Sequence, residues 1–352
     1  MSYTIGPDAP LNAFNGDREI ETLFTLKADI QAMLEFELAL VTAQAQIGVV
    51  SKDHAEEIKA AIAGIALDEA ELAATFKNDG VLPPSLVRQV RRSLGDDLHA
   101  DFHRGATSQD LVDSSVMMRL RQTVELVDKR LVSLSDALND LVGRSAKGQI
   151  LNARTRMQNA LPISAFEKVE NWKSHISNLK RTKPDYFPIQ LGGPEGAARK
   201  FGEPYDVLCK AIADSLGLHA PLHHWQTDRQ PLLAIASWFS SVATSMGKIG
   251  QDTLMMAQTE IGEITLESRG LSSAMPHKKN PVLAEIIVAQ ARYCHAQMSG
   301  LQSASIHENE RSGSSWSLEW MLLPALIITA SKSIINANEL IKGAQFQPPQ
   351  SR

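Results

Sequence analysis

Residues 111 to 141 read LVDSSVMMRLRQTVELVDKRLVSLSDALNDL. No proline or glycine interrupts them, and Met117, Leu120, Val124, Val127, Leu131, Leu134, Leu138 and Leu141 recur at alternating spacings of three and four. That is the apolar stripe of an α-helix, with charged residues filling the other faces. At 1.5 Å per residue, a helix continued to Lys147 is about 50 Å long. A rod of that length needs helical partners along its seam, from its own chain or from other copies of it.

A second stripe runs through Leu232, Ile235, Phe239, Val242, Met246 and Ile249, a third lies between Pro281 and Leu301, and one more apolar helix follows Pro324 to about Ile341. The first hundred residues are also helical but in shorter pieces, Ala28 to Val49, Lys52 to Leu67 and Glu69 to Phe76, broken by Pro83-Pro84 and Gly95. Alternating β-branched runs are nearly absent and aromatics make up 5% of the chain, so strands are not expected. The fold class is therefore all-α. We expect an N-terminal helical domain over 1–105, a central long-helix bundle over 106–345 and a short tail over 346–352.

The 352 residues are 43% hydrophobic and 21% charged, the balance of a globular protein with a large core. A formal charge of −5 gives no general attraction to nucleic acid or to an anionic membrane. The N-terminus has no basic region followed by an apolar run, and eighteen consecutive apolar residues occur nowhere. We expect neither an export signal nor a membrane span. Cys209 and Cys294 are too few and too far apart for a disulfide framework or a zinc site, which fits a reducing cytoplasm. No spacing such as HExxH provides metal ligands, so no metal or other cofactor is expected. The glycine-rich QLGGPEGAARKFG (190–202) lacks both GxGxxG and GK[ST] patterns and reads as a turn between helices rather than a phosphate cradle.

Three polar islands interrupt the helices: HRGATSQD (103–110), RTRMQNALPIS (154–164) and GLSSAMPHKKNPVLAE (270–285). Singly, each has an ordinary structural reading. Thr107 and Ser108 beside Asp110 could cap the long helix, RTRMQ could be a solvated helix face, and the third could be a surface loop. Their order and spacing, with long helices between, resemble the three signature regions of the fumarase/aspartase superfamily over nearly the whole chain. Within it, GATSQD, ADIQAMLEFELALVTAQAQIGVV, the SSAMPHKKNPVLAE loop and HENERSGSSWSLEW (307–320) are most similar to the bacterial 3-carboxy-cis,cis-muconate cycloisomerases. That resemblance implies an all-α homotetramer whose core is built from the long helices of four subunits. Each active site would then draw its three regions from three chains, and the partners of the long stripe would be the same helix in other subunits.

The resemblance also implies the chemistry. A substrate carboxylate adds across a double bond within the same molecule, in aromatic (protocatechuate) degradation, and a proton reaches the carbon next to another carboxylate. Ser272 would carry that proton, Lys278 would stabilise the serine alkoxide, and Asn280 would donate to an enediolate intermediate. His103, Thr107, Ser108, Arg154, Thr155, Gln158 and Arg311 would bind a polycarboxylate, with Lys248 in a supporting place. His277 and Lys279 could face solvent. The sequence departs from the pattern where Arg156 replaces the proton-transfer histidine of the lyases. Glu285 matches that histidine's glutamate partner and is expected to pair with Arg156. Arg104 and Arg156 replace expected tryptophans, and Leu271 a glycine; two extra arginines suggest tolerance of a sulfonate, as in 3-sulfomuconate. The superfamily's further C-terminal domain is expected to be lacking. Competing readings are an adenylosuccinate- or argininosuccinate-type lyase and a non-catalytic structural protein on the same scaffold.

Overall fold

A computed structural model describes residues 10–201, 204–267, 270–271, 274–275 and 278–348. Two one-turn helices, α1 (Asn12–Asn15) and α2 (Arg18–Glu21), lead into α3 (Leu26–Gln46), α4 (Lys52–Gly64), α5 (Glu69–Asp79) and α6 (Pro83–Arg92). Side-chain oxygens of Thr25, Ser51 and Asp68 accept from the first-turn amides of α3, α4 and α5, and Pro83-Pro84 open α6 where no amide partner is needed. Gly80 ends α5 in the left-handed conformation at φ +72°.

The 34-residue helix α7 (Ser108–Leu141) is the rod read from the sequence. A short π-helical turn follows it, then an antiparallel hairpin, β1 (Ile150–Thr155) with β2 (Gln158–Ser164). Next come α8 (Ala165–Arg181), α9 (Tyr205–Leu216) and α10 (Gln230–Met256), the last preceding β3 (Ile264–Leu266), β4 (Gly270–Leu271) and β5 (Lys279–Asn280). The described chain closes with α11 (Val282–Ala304), α12 (Ser314–Lys342) and β6 (Ala344–Phe346). β3 pairs with β6 and β4 with β5, both antiparallel. The protein is thus mostly helical, with three two-stranded ribbons at the ends of the rods.

Three details differ from the sequence reading. RTRMQ is the tip of the β1–β2 hairpin, not a helix face: Arg156 and Met157 occupy its two turn positions at φ +49° and +66°. Primed two-residue turns of this kind ordinarily announce themselves by Asn-Gly or Asp-Gly, and here neither is present. Pro324 lies inside α12 rather than before it, so that helix begins nearly three turns earlier, at Ser314. Most consequentially, all eight stripe residues from Met117 to Leu141 are buried within the single chain. α3, α8 and α12 pack along α7 and cover them, so the stripe itself makes no demand for another subunit. α10 and α12 are long and apolar enough to cross a bilayer, but most of that apolar surface is buried in this bundle.

One large apolar cluster joins the N-terminal helices to α7 through α12. A second, smaller one gathers Val41, Ile58, Ile62, Val87, Val90, Leu98 and Phe102 between α3, α4, α6 and the turn that leads to α7. That turn carries the first polar island.

Candidate active site

α3 and the start of α7 hold the first island from both sides. Glu37 and Gln44, seven residues apart and so on one face of α3, are buried in an otherwise apolar stripe. Glu37 Oε1 lies 2.5 Å from His103 Nδ1, and Gln44 Nε2 donates to the Arg104 carbonyl at 2.8 Å. His103 is held at φ +59°, a region that few residues other than glycine visit. Gly105 follows at φ +79°, and a Cβ there would stand 3.0 Å from the Phe201 ring. Burial alone would lower the His103 pKa, but the charge and hydrogen bond of Glu37, with Asp110 beyond, outweigh it and raise it.

At the N-terminus of α7, the Asp110 carboxylate accepts from the backbone N–H of Thr107 at 3.0 Å, Gly192 at 2.7 Å and Gly193 at 3.1 Å. The amides of the glycine-rich segment are therefore committed to a carboxylate of the chain itself, which accounts for that segment as a turn. Burial pushes the Asp110 carboxyl up to about 7, against the pull of its three N–H donors and of His103.

Arg311 crosses to the same place from the segment before α12. Its Nη2 donates to Thr107 Oγ1 at 3.0 Å and reaches the Pro194 carbonyl at 3.5 Å, and its Nε donates to Gln109 Oε1 at 3.2 Å. All three partners are neutral oxygens. Behind it lies a buried ionic group that sequence reading did not find. Arg229, fully buried, donates to both oxygens of Asp113 (2.7 and 3.1 Å) and both of Glu319 (2.8 and 2.7 Å). Gln109 Nε2 and Trp316 Nε1 also donate to Asp113, and the Arg229 guanidinium lies 4.7 Å above the Trp225 ring. This group locks α7, α10 and α12 together directly beneath Arg311. Its three charges lie far apart in sequence, so no local motif could reveal it.

The second island stands apart. Arg154 makes a two-point ion pair with buried Glu263 (2.8 and 3.2 Å), whose Oε1 also accepts from the Asn152 amide. Its charge is thus balanced inside the chain. Thr155, Arg156 and Gln158 are exposed at the hairpin tip. Glu285, at the start of α11, is exposed too, and among the described residues no ion pair joins it to Arg156, so the expected pair does not form within one chain. Arg104 pairs with Asp101 at 2.8 Å and donates to the Val49 carbonyl, so its charge is also largely balanced.

In the third island Ser272, Ser273 and His277 lie outside the described residues. Lys278 and Lys279 are exposed, and Asn280 pairs with Gly270 in the β4–β5 ribbon. Lys248 is an ion-pair member: it donates to Asp252 at 2.6 Å, and Lys168 and Trp172 Nε1 approach the same carboxylate. Burial would raise the Asp252 pKa, but those three groups together lower it. One chain therefore brings together His103, Thr107, Ser108 and Arg311. Among the described residues no hydrogen bond or ion pair ties the second or third island to them.

A model of the lyase family matches residues 15–294, four-fifths of the chain. The chain belongs to the lyase family. Its similarity to 3-carboxy-cis,cis-muconate cycloisomerases, read first from the polar islands, extends over most of its length: it is 34% identical to the Pseudomonas aeruginosa protein of that name over 95% of this chain and 74% of the relative. It is also 31% identical to the nitrosuccinate lyase of Streptomyces davaonensis, over all of this chain and 79% of that one. Among solved structures, the 3-carboxy-cis,cis-muconate lactonizing enzyme of Pseudomonas putida superposes with a TM-score of 0.86 at 28% identity, covering 96% of this chain and 77% of that one. The lyase family's fumarase/aspartase fold is thus the fold of this protein.

Proposed function

We propose that this lyase-family protein is a cycloisomerase that closes 3-carboxy-cis,cis-muconate to a muconolactone in aromatic degradation. One observation of the site carries the reading: the Arg311 guanidinium, at the N-terminus of α7, is met only by neutral oxygens among the described residues. An unbalanced cation beside the hydroxyls of Thr107 and Ser108 and a helix N-terminus is a place for a substrate carboxylate. A second carboxylate oxygen bonds to the alkene carbon. The π electrons move to the carbon next to the remaining carboxylate, giving an enediolate that takes one proton on that carbon. Holding the nucleophile on the same molecule supplies much of the rate, and the enzyme folds the substrate and stabilises charge. In this reading Ser272 delivers the proton, Lys278 and Asn280 stabilise the anions, and Thr107, Ser108, His103 and Arg311 hold carboxylates. No metal or cofactor takes part.

The same reading places the enzyme in the cytoplasm as a homotetramer with sites shared between chains. Its support is the separation of the three islands within one chain: the exposed hairpin tip with Thr155, Arg156 and Gln158 would complete the site of another subunit, where Arg156 could meet Glu285. The division near residue 105 belongs here as well, supported by the separate small core of the N-terminal helices. A second reading, β-elimination from a succinate derivative, is favoured by the nitrosuccinate lyase similarity across the full chain. Ultraviolet assays with 3-carboxymuconate, 3-sulfomuconate, nitrosuccinate and adenylosuccinate side by side separate the two. Turnover of 3-carboxymuconate at the highest kcat/KM supports the first; turnover of nitrosuccinate or adenylosuccinate alone overturns it.

A further inference from the structure

The first island contains a histidine whose surroundings exceed what a simple contact residue needs. His103 Nδ1 is engaged by Glu37, which is 1% exposed and whose second oxygen has no hydrogen-bond partner. Among the described residues no other ion pair meets that glutamate, so the imidazole is the one cationic partner the buried carboxyl has there. His103 Nε2 has no partner among the described residues, and the side chain keeps 15% of its surface exposed. The backbone at His103 is held in the left-handed region by contacts on either side of it, Gln44 to the Arg104 carbonyl and Arg91 to the Phe102 carbonyl. Strain retained at one residue by flanking hydrogen bonds is a mark of a side chain whose aim matters.

We propose that Glu37 is a positioning residue that keeps His103 protonated and aims its Nε2–H at a substrate carboxylate, so that His103 contributes a cation to carboxylate binding. The proposal rests on the polycarboxylate reading of the site. The groups facing the imidazole are Glu37 from α3 and Asp110 from α7, which favour the charged ring, and Arg91 from α6, which opposes it; burial opposes it most. Asp101, two residues away, is already engaged by His54 and Arg104. The net result is a His103 pKa above the ordinary value. The sign follows: the imidazolium contact is fully present below the ordinary imidazole pKa and is lost as pH rises through the higher folded-state value.

The test has two arms. In the first, the ring proton signals of His103, assigned by their loss in His103→Asn, are titrated by NMR in the substrate-free enzyme and in Glu37→Gln and Glu37→Asp. Glu37→Gln should lower the titration midpoint by about one pH unit or more, and Glu37→Asp, which keeps the charge, by less. In the second arm, binding of tricarballylate, a non-reacting tricarboxylate, and the alkaline limb of kcat/KM for 3-carboxymuconate are followed. In Glu37→Gln both should fall at lower pH than in the wild type by the same displacement, with KM raised more than kcat is reduced. An unmoved His103 midpoint overturns the coupling. A moved midpoint with tricarballylate affinity unchanged across pH overturns the substrate role. Both arms read out even if 3-carboxymuconate is not turned over, an outcome that would count against the proposed activity alone. Should Glu37→Gln fail to fold, Glu37→Asp and His103→Asn decide, the latter expected to lose tricarballylate affinity roughly tenfold or more at neutral pH.

Discussion

Arg229→Met tests whether the buried ionic group organises the site. The native guanidinium makes four hydrogen bonds to two carboxylates, with Arg229, Asp113 and Glu319 all at or near zero exposure. Methionine fills much of the volume but leaves two buried carboxylates. Asp113 keeps neutral donors in Gln109 and Trp316, whereas among the described residues Glu319 keeps only His307 at 3.3 Å. Removing one partner of a buried pair typically costs 3–5 kcal/mol, and with Asp113 partly compensated the expected loss is about 4 kcal/mol. That is a large share of the roughly 5–15 kcal/mol that holds an ordinary domain folded. Arg229→Lys keeps a charge but not the two-sided fork, and should lose about 2 kcal/mol. The assay is urea unfolding at one fixed protomer concentration, since association would otherwise shift the midpoints. The deficit of Arg229→Met should shrink at acid pH, where the orphaned carboxylates can take protons. A loss below about 1 kcal/mol, the scale of a surface ion pair, would refute the reasoning.

Three further outcomes follow from the same geometry. Arg311→Gln should lower kcat/KM for 3-carboxymuconate roughly ten- to two-hundred-fold, the worth of one charged contact, with little change in the unfolding midpoint; a wild-type constant would place Arg311 outside the site. Asp110→Asn sets an amide NH2 against a backbone N–H and should destabilise by about 2–3 kcal/mol at acid pH. Because the folded carboxyl titrates at about 7 rather than near its ordinary 3.8, the native state binds that proton more tightly, and wild-type stability relative to the Asn variant should fall as pH rises through that window. A rising difference would show that the three N–H donors, not burial, dominate. Mixing Ser272→Ala with Thr107→Val protein under conditions of subunit exchange should restore part of the activity lost in each; no recovery with exchange demonstrated would count against shared sites.

The long helices were legible because periodicity reports a buried face whatever covers it. What covers it was not legible: the Met117–Leu141 stripe reads the same whether its partners are α3, α8 and α12 of one chain or copies of itself. The hairpin at 150–164 was missed because Arg156 and Met157 adopt positive φ without glycine or asparagine to signal it. The polar islands stood out by composition, and Thr107 and Arg311 meet although 204 residues separate them. Arg154 reads as a substrate donor and Lys248 as a supporting residue, and a sequence does not show that Glu263 and Asp252 pair with them. Glu37 did leave a trace, a carboxylate in the apolar run FELAL, which a helix tolerates only with a buried partner.

The central claim is that substrate carboxylate and alkene join within one molecule. The decisive measurement is NMR identification of the products formed from 3-carboxy-cis,cis-muconate in deuterated water. The account predicts a single muconolactone with all the carbons of the substrate and one solvent-derived deuterium on the carbon next to a carboxylate. Two products from one substrate, or no reaction with 3-carboxymuconate while nitrosuccinate is cleaved, would contradict it.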